Sequence, residues 1–265
     1  MDKDMLQKKI TEMVQNAPEN SYQDKYRIYD EPLVGFAAAN DPIFTDYKKP
    51  EIIGDIFRTP LEWYGDAVTV ISFFLPFSEP VRRSNVEKGP ASDEWMHGRF
   101  VGEEFANHVR RFIIKELENA GGEALAPHIE PEFNADFTIF ASNWSERHIA
   151  YAAGLGTFSL NRGLITEKGM AGRFGSVVTN LHFEPTPRKY PDPFHNCPHT
   201  REGKCGACIK RCPVGAITKD GKDKAPCHHY LFITNPRKEF ADQHGYPYSA
   251  CGKCQTKVPC ETQIP

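Results

Sequence analysis

A chain of 265 residues, 40% hydrophobic and 25% charged, has the balance of a globular protein and the length for one large domain or two smaller ones. Its formal net charge of −3 excludes the global basicity of a chain built to hold nucleic acid or an anionic membrane surface. The opening MDKDMLQKKITEMVQ lacks the apolar stretch of a signal peptide, and no segment nears the roughly 18 apolar residues of a membrane-spanning helix. A cytoplasmic protein with no membrane partner is expected.

In chain order, Met5 to Val14 repeats apolar residues at helical spacing. Asp66 to Phe77, DAVTVISFFLPF, is β-branched and aromatic and reads as a buried strand. Phe105, Val109, Phe112, Ile113 and Leu117 share one helix face, and Gly121-Gly122 would end that helix. Phe137 to Ser142 reads as a strand. Asn143 is placed to cap a following helix, with Glu146 completing a capping box and Gly154 as the stop. Gly172 to Phe183 has strand character. The class is therefore α+β. Four prolines between Glu184 and Phe194 mark a stiff seam, which divides the chain into residues 1–190 and 191–265.

All eight cysteines fall beyond that seam, at 197, 205, 208, 212, 227, 251, 254 and 260. Disulfides are disfavoured in a reducing compartment, so metal ligation is the leading reading. The two runs CGACIKRC and CGKCQTKVPC share a C-G-x-C opening. Eight thiols make two sets of four, and proline directly after Cys212 is a mark of the bacterial ferredoxin run. In two-cluster ferredoxins the fourth cysteine of a run ligates the other cluster. By that rule Cys197, Cys205, Cys208 and Cys260 hold one [4Fe–4S] cluster, and Cys212, Cys227, Cys251 and Cys254 hold the second. The excess of four cations in residues 191–265 balances the charge of two such clusters. Two four-cysteine zinc sites are the alternative, because C-x2-C pairs make those as well.

The stretch ERHIAYAAGLGTFSLNRGLIT, Glu146 to Thr166, followed by CGACIKRCPVGAI and CGKCQ, resembles the epoxyqueuosine reductase family. The resemblance implies a nitroreductase-like α/β domain that binds cobalamin, followed by a bacterial two-[4Fe–4S] ferredoxin-like domain, and an oxidoreductase in which the clusters feed electrons to the corrinoid. It carries cofactor contacts onto Glu146, Arg147, Gly154, Leu155, Gly156 and Asn161. The family's lysine before that asparagine is Leu160 here, and the glycine before that is Ser159. The family's proton-donating aspartate falls on Phe140, with Asp136 the nearest acid on its N-terminal side. The tRNA-acting members also carry a C-terminal helical-repeat extension that this sequence does not reach.

Those departures point to a small substrate rather than epoxyqueuosine in tRNA, and to nucleic acid not being a partner. The implied electron source is a low-potential donor of the ferredoxin or flavodoxin type. Two other readings stay open: a ferredoxin-like module that reduces a partner corrinoid or redox protein, and a flavin-bound iron–sulfur reductase on the same scaffold. No residue is assigned a catalytic role. Glu146 could equally be a capping carboxylate, Gly154 and Gly156 a helix stop and turn, and His148 a core histidine.

Overall fold

The computed structural model describes residues 1–265. At its centre is a four-stranded antiparallel sheet, ordered β1-β2-β8-β3. Strand β1 is Leu33–Ala38, β2 Thr69–Pro76, β3 Ala124–Leu125 and β8 Gly172–Thr179. Strands β2 and β8 pair along their full length, from Thr69 opposite Thr179 to Pro76 opposite Gly172.

Every residue of β2 is buried. Successive side chains of a strand point to opposite faces, so both faces of this sheet are covered. Ile71, Phe73 and Leu75 join the largest core cluster, with Leu6, Ile10 and Val14 of the N-terminal helix and Phe105, Val109, Ile113 and Leu117 of the long helix. Val70 packs in a second cluster with Trp144 and Ile149, and Phe74 in a third with Ala150 and Leu155. A strand covered on both faces needs a continuous apolar run rather than alternation, which is what Val68 to Phe77 supplies.

The long helix spans Asp93–Asn119, with Ser92 as N-cap accepting from Trp95 N. It begins about three turns before the apolar face read from sequence, because Trp95, Met96, Gly98 and Phe100 are buried as well. Gly98 and Gly102 sit on its inner face, where an added Cβ would lie 2.7 Å from the Phe77 ring and 2.4 Å from the Tyr29 hydroxyl.

Two local expectations are corrected. Of residues 137–142 only Ala141–Ser142 is strand. Strand β4, Ala135–Asp136, pairs with β5, Ala141–Ser142, in a tight hairpin whose tip carries Phe140 at φ +53°. The apolar residues Phe137 and Ile139 are exposed there. Nor does Asn143 cap the next helix, which spans Glu146–Ala152 with Ser145 as N-cap. The Asn143 side chain instead ties this hairpin together, donating to Glu132 O (2.8 Å) and accepting from Asn134 N (2.9 Å).

Strands β6, Gly156–Phe158, and β7, Leu164–Thr166, form a second small hairpin. Beyond the proline-rich stretch the chain has short helices and long turns, and it folds back onto the sheet region. Ala241 and Ala250 are part of the largest core cluster, and the Tyr246 ring stacks on Phe100 at 4.2 Å. Truncating Ile113 tests the packing of the long helix. The Ile113→Ala protein should lose about 2–5 kcal/mol of unfolding free energy in urea titration, with its m-value unchanged.

Candidate functional site

The eight thiols are all free. Cys197 is buried at the start of the helix Pro198–Glu202, Cys208 lies on the helix Ala207–Arg211, and Cys212 closes that helix. Cys227 lies on the helix Lys224–His229, and Cys251, Cys254 and Cys260 lie on turns. Their electrostatic neighbourhoods divide them. Cys260 feels Cys208, Cys197 and Cys205, whereas Cys254 feels Cys227 and Cys212, and Cys251 feels Cys254 and Cys227. Cys208 feels Cys254 as well as Cys197 and Cys205, so the two neighbourhoods adjoin. Burial pushes Cys208, Cys251 and Cys260 up to about 12, and it raises Cys254 too. Thiols in such surroundings ionise only with a cationic partner, and a thiolate-binding metal centre is one. No three His, Cys, Asp or Glu side chains converge on a single-ion site.

Segment 157–170 is the bed on which this cysteine tail rests. Asn161 Nδ2 donates to Cys254 O at 2.7 Å, while its Oδ1 accepts from Ser159 Oγ (2.7 Å) and Gly163 N (2.8 Å). Met170 N donates to Cys260 O at 3.0 Å. Asn196, fully buried before Cys197, donates from N to Thr157 Oγ1 (2.8 Å) and from Nδ2 to Ile165 O (2.9 Å). Leu160, Ile165, Met170 and Ile217 pack with Cys197, and Cys208, Cys212, Cys254 and Cys260 lie against them. Leu160, where the family has lysine, is thus part of an apolar wall. From the other side Asn85 Nδ2 donates to Cys251 O at 2.9 Å. Gly252, at φ +67°, lies so close to Trp95 that an added Cβ would be 2.0 Å from the indole.

The residues singled out as cofactor contacts do not share one setting. Glu146 faces inward. Its Oε1 accepts from Arg110 Nη2 at 3.0 Å and its Oε2 from Ser176 Oγ at 2.5 Å, and the Trp144 indole donates to the same serine at 2.9 Å. Arg110 is fully buried and pairs also with Glu103 (3.2 Å), which in turn binds Arg173. These cations hold the Glu103 carboxyl well below the usual range against the opposing effect of burial. Gly154 (φ +74°) and Gly156 are required by packing. An added Cβ would lie 3.0 Å from Thr186 O and Pro187 O at the first, and 2.2 Å from Ile165 O at the second. Leu155 is buried beside Phe158 and Phe74. Gly154, Leu155 and Gly156 line a cavity of ≈ 240 Å³ together with Tyr151 and Arg188, smaller than the usual ~300–1,000 Å³ of a small-molecule site.

Arg147 is different. It is exposed, and it donates to Arg162 O at 2.7 Å. Its charge is felt by Lys224 and His148, and it feels Arg173, Arg162, Cys254 and Cys227. Solvent reaches this side chain, and it lies between the sheet domain and the cysteine tail, within the field of Arg162, Lys224, Cys227 and Cys254. Lys224 Nζ donates to Phe140 O at 2.9 Å, which joins the β4–β5 hairpin to the cysteine tail. Phe137 and Phe140 pack on His228, and His228 stacks on Phe232 at 4.1 Å. Arg147, Arg162 and Lys224 form no ion pair, so this junction is positive with one aromatic wall. Asp136 is spent on the hairpin, accepting from Thr138 N (2.8 Å) and Thr138 Oγ1 (2.6 Å).

Sequence reading did not find Arg110, Glu103, Arg162, Arg173 or Lys224. Only the charge of Glu103 and Arg110 within an otherwise apolar helix face could have marked them. His148, one of the histidines in question, is a core residue against Tyr47 and Phe158. Burial, with Arg147 and Lys224 adding to it, depresses its pKa to about 3.

Fold and site together define a mixed α/β protein with a cysteine-rich tail packed on its sheet domain. The same fold occurs in a solved epoxyqueuosine reductase from Streptococcus thermophilus (TM-score 0.55, 16% identity, 98% of this chain and 66% of that one). It occurs too in a catabolic reductive dehalogenase (TM-score 0.55, 16% identity, 88% of this chain and 30% of that one). One solved epoxyqueuosine reductase carries an epoxyqueuosine-modified tRNA stem loop, and one reductive dehalogenase structure is described as B12-dependent. No protein-family model matches the chain. Among curated proteins, the epoxyqueuosine reductase of Listeria monocytogenes is 31% identical over 238 residues, 86% of this chain and 55% of the relative. That of Francisella cf. novicida is 35% identical over 130 residues, 45% of this chain and 33% of the relative. The chain thus spans about half the length, or less, of these curated relatives. Over most of its own length it bears a family-level resemblance to the epoxyqueuosine reductases.

Two outcomes follow from the site. Arg110→Ala removes the buried cation shared by Glu103 and Glu146 and should cost about 3 kcal/mol of stability in denaturant melts. Because His148 binds its proton near pH 6.5 when unfolded and near pH 3 when folded, stability should fall as pH drops through that window. His148→Phe should flatten that part of the stability profile, measured by chemical denaturation between pH 7 and pH 4.

Proposed function

We propose that the chain is an iron–sulfur oxidoreductase that takes single electrons from a low-potential donor and uses them to reduce a small substrate. Cys197, Cys205, Cys208 and Cys260 would hold one [4Fe–4S] cluster, and Cys212, Cys227, Cys251 and Cys254 the second. A corrinoid would occupy the junction at Arg147, Arg162 and Lys224. The observation that carries this reading is the division of eight free thiols, seven of them buried or half-buried, into two adjoining neighbourhoods, one of which acts on Arg147. The donor set fits: thiols in two groups of four, an apolar wall against members of both, and cations beside the second.

When bound, a reduced corrinoid supplies a strong nucleophile for two-electron reduction. The chain's own parts would do the rest. Asn161 fixes the Cys254 loop relative to the sheet domain. Arg147 and Lys224 offer donors to anionic groups of cofactor or substrate. Phe137, Phe140, His228 and Phe232 keep water from one side. The hairpin offers no acid at Phe140, so a proton for the product must come from elsewhere. That same observation favours a second reading, electron delivery to a partner corrinoid or redox protein, which needs no proton donor.

Titrating cob(II)alamin into anaerobically reconstituted protein separates these. The enzyme reading expects tight binding with a shifted cobalt EPR spectrum, and at least tenfold weaker binding in Arg147→Ala. Absence of binding would overturn it. Flavin released on denaturation would move the assignment to a flavoprotein, and turnover on modified tRNA would replace the small substrate. Cys254→Ser should lose about half of the iron and sulfide, and unchanged iron content would contradict the ligand set.

A further inference from the structure

A buried and a half-buried cation lie beside the second cysteine set, and neither is hydrogen-bonded to an acid. Lys253, between Cys251 and Cys254, is 3% exposed. Its Nζ donates to Asn85 Oδ1 (2.8 Å) and Asn85 O (3.3 Å). Arg211, next to Cys212, donates from Nε to Lys253 O (3.1 Å) and Thr256 O (3.0 Å). Its Nη1 donates to Val86 O (2.8 Å), and its Nη2 to Asn85 O (3.2 Å) and Thr256 Oγ1 (3.2 Å). Every acceptor is neutral. Glu87, on the exposed surface, is the one acid whose charge reaches Lys253.

A buried cation without an anion is strongly disfavoured. Lys253, with half-buried Arg211 next to it and both held on carbonyl groups beside the second cysteine set, calls for negative charge at that place. Lys222 and Arg147 add to the same field, since each acts on or is acted on by Cys254. The two sets differ in their cations rather than in their apolar surroundings: Leu160, Ile165, Met170, Ile217 and Ile264 lie with Cys212 and Cys254 as well as with Cys197, Cys208 and Cys260. Lys204, next to Cys205, is exposed and already paired with Glu202 at 3.0 Å.

We propose that Lys253 and Arg211 are fixed counter-charges. They raise the reduction potential of the group on Cys212, Cys227, Cys251 and Cys254 above that of the group on Cys197, Cys205, Cys208 and Cys260. The proposal rests on the two-cluster reading above. Reduction makes a thiolate-ligated cluster one unit more negative. Close positive charge in a low-dielectric site stabilises that form. One electron from a low-potential donor reduces the first group. It then passes to the second, leaving the first oxidised again, and moves on toward Arg147. No bond is made and neither Lys253 nor Arg211 gives up a proton, so these two residues set the direction without taking part in the chemistry.

The test is an anaerobic redox titration of the full reconstituted chain with dithionite, followed by EPR, on wild type and on Lys253→Met, Lys253→Gln and Lys253→Arg. Wild type should show two resolved potentials. Met and Gln should lower the more positive one by a tenfold change in the one-electron equilibrium, about 59 mV, and leave the other in place, while Arg restores it. Gln keeps a donor to Asn85 O and carries the comparison if Met loses iron. Full iron content with neither potential moved, with both moved equally, or with Arg behaving as Met would overturn the proposal alone. Wild-type protein that takes up no iron and sulfide would overturn the cluster reading on which it rests.

Discussion

The hydrogen-bonded docking of a cysteine-rich tail onto segment 157–170 is the contact on which the rest of the arrangement depends. The tail has little regular structure of its own, and its two-residue strands and five- or six-residue helices bury few side chains among themselves. Its backbone is held from outside. Asn161 binds Cys254 O, Met170 N binds Cys260 O, and Asn85 binds Cys251 O. Each of these bonds leaves the sulfur free while fixing the carbonyl of the same cysteine. The sheet domain therefore orients the thiols, and the placing of the tail against Arg147 is a consequence of the same bonds.

A second constraint lies under the sheet. Arg110, Glu103, Arg173 and Glu146 form a connected set of charges between the long helix, β8 and the helix Glu146–Ala152. A buried set like this adds little net stability over apolar packing, but it is costly to break. It fixes where the helix that carries Arg147 begins, and hence where Arg147 faces the tail. Glu146 and Arg147, adjacent in sequence, thereby do different work: one anchors the helix and the other faces outward.

Much of the scaffold was legible in the sequence because its signals are local. The run at Val68–Phe77 gave β2, the Phe105–Leu117 face gave the long helix, and the 172–183 segment gave β8. The sites that were misread are those where tertiary contacts override local pattern. Phe137–Ser142 has strand composition, yet Lys224 and His228 hold it as a hairpin tip. Asn143 and Glu146 have capping-box spacing, yet Asn143 is occupied with Glu132 and Asn134, and Glu146 with Arg110. Glycine at 154 and 156 is explained by close backbone at Pro187 and Ile165, which no one-dimensional pattern contains. The cations around the cysteines were visible only as an excess of charge. The placing of buried Lys253 and half-buried Arg211 on neutral acceptors is a property of the fold.

The central claim is that the eight thiols hold two polynuclear iron–sulfur groups. Mössbauer spectroscopy of protein reconstituted anaerobically with 57Fe tests it most directly. The account predicts that the valence-delocalised iron pairs of two cubane clusters make up the spectrum, with about eight irons per chain. A folded chain that binds zinc instead, or whose iron gives only mononuclear ferrous or ferric signals, would contradict it.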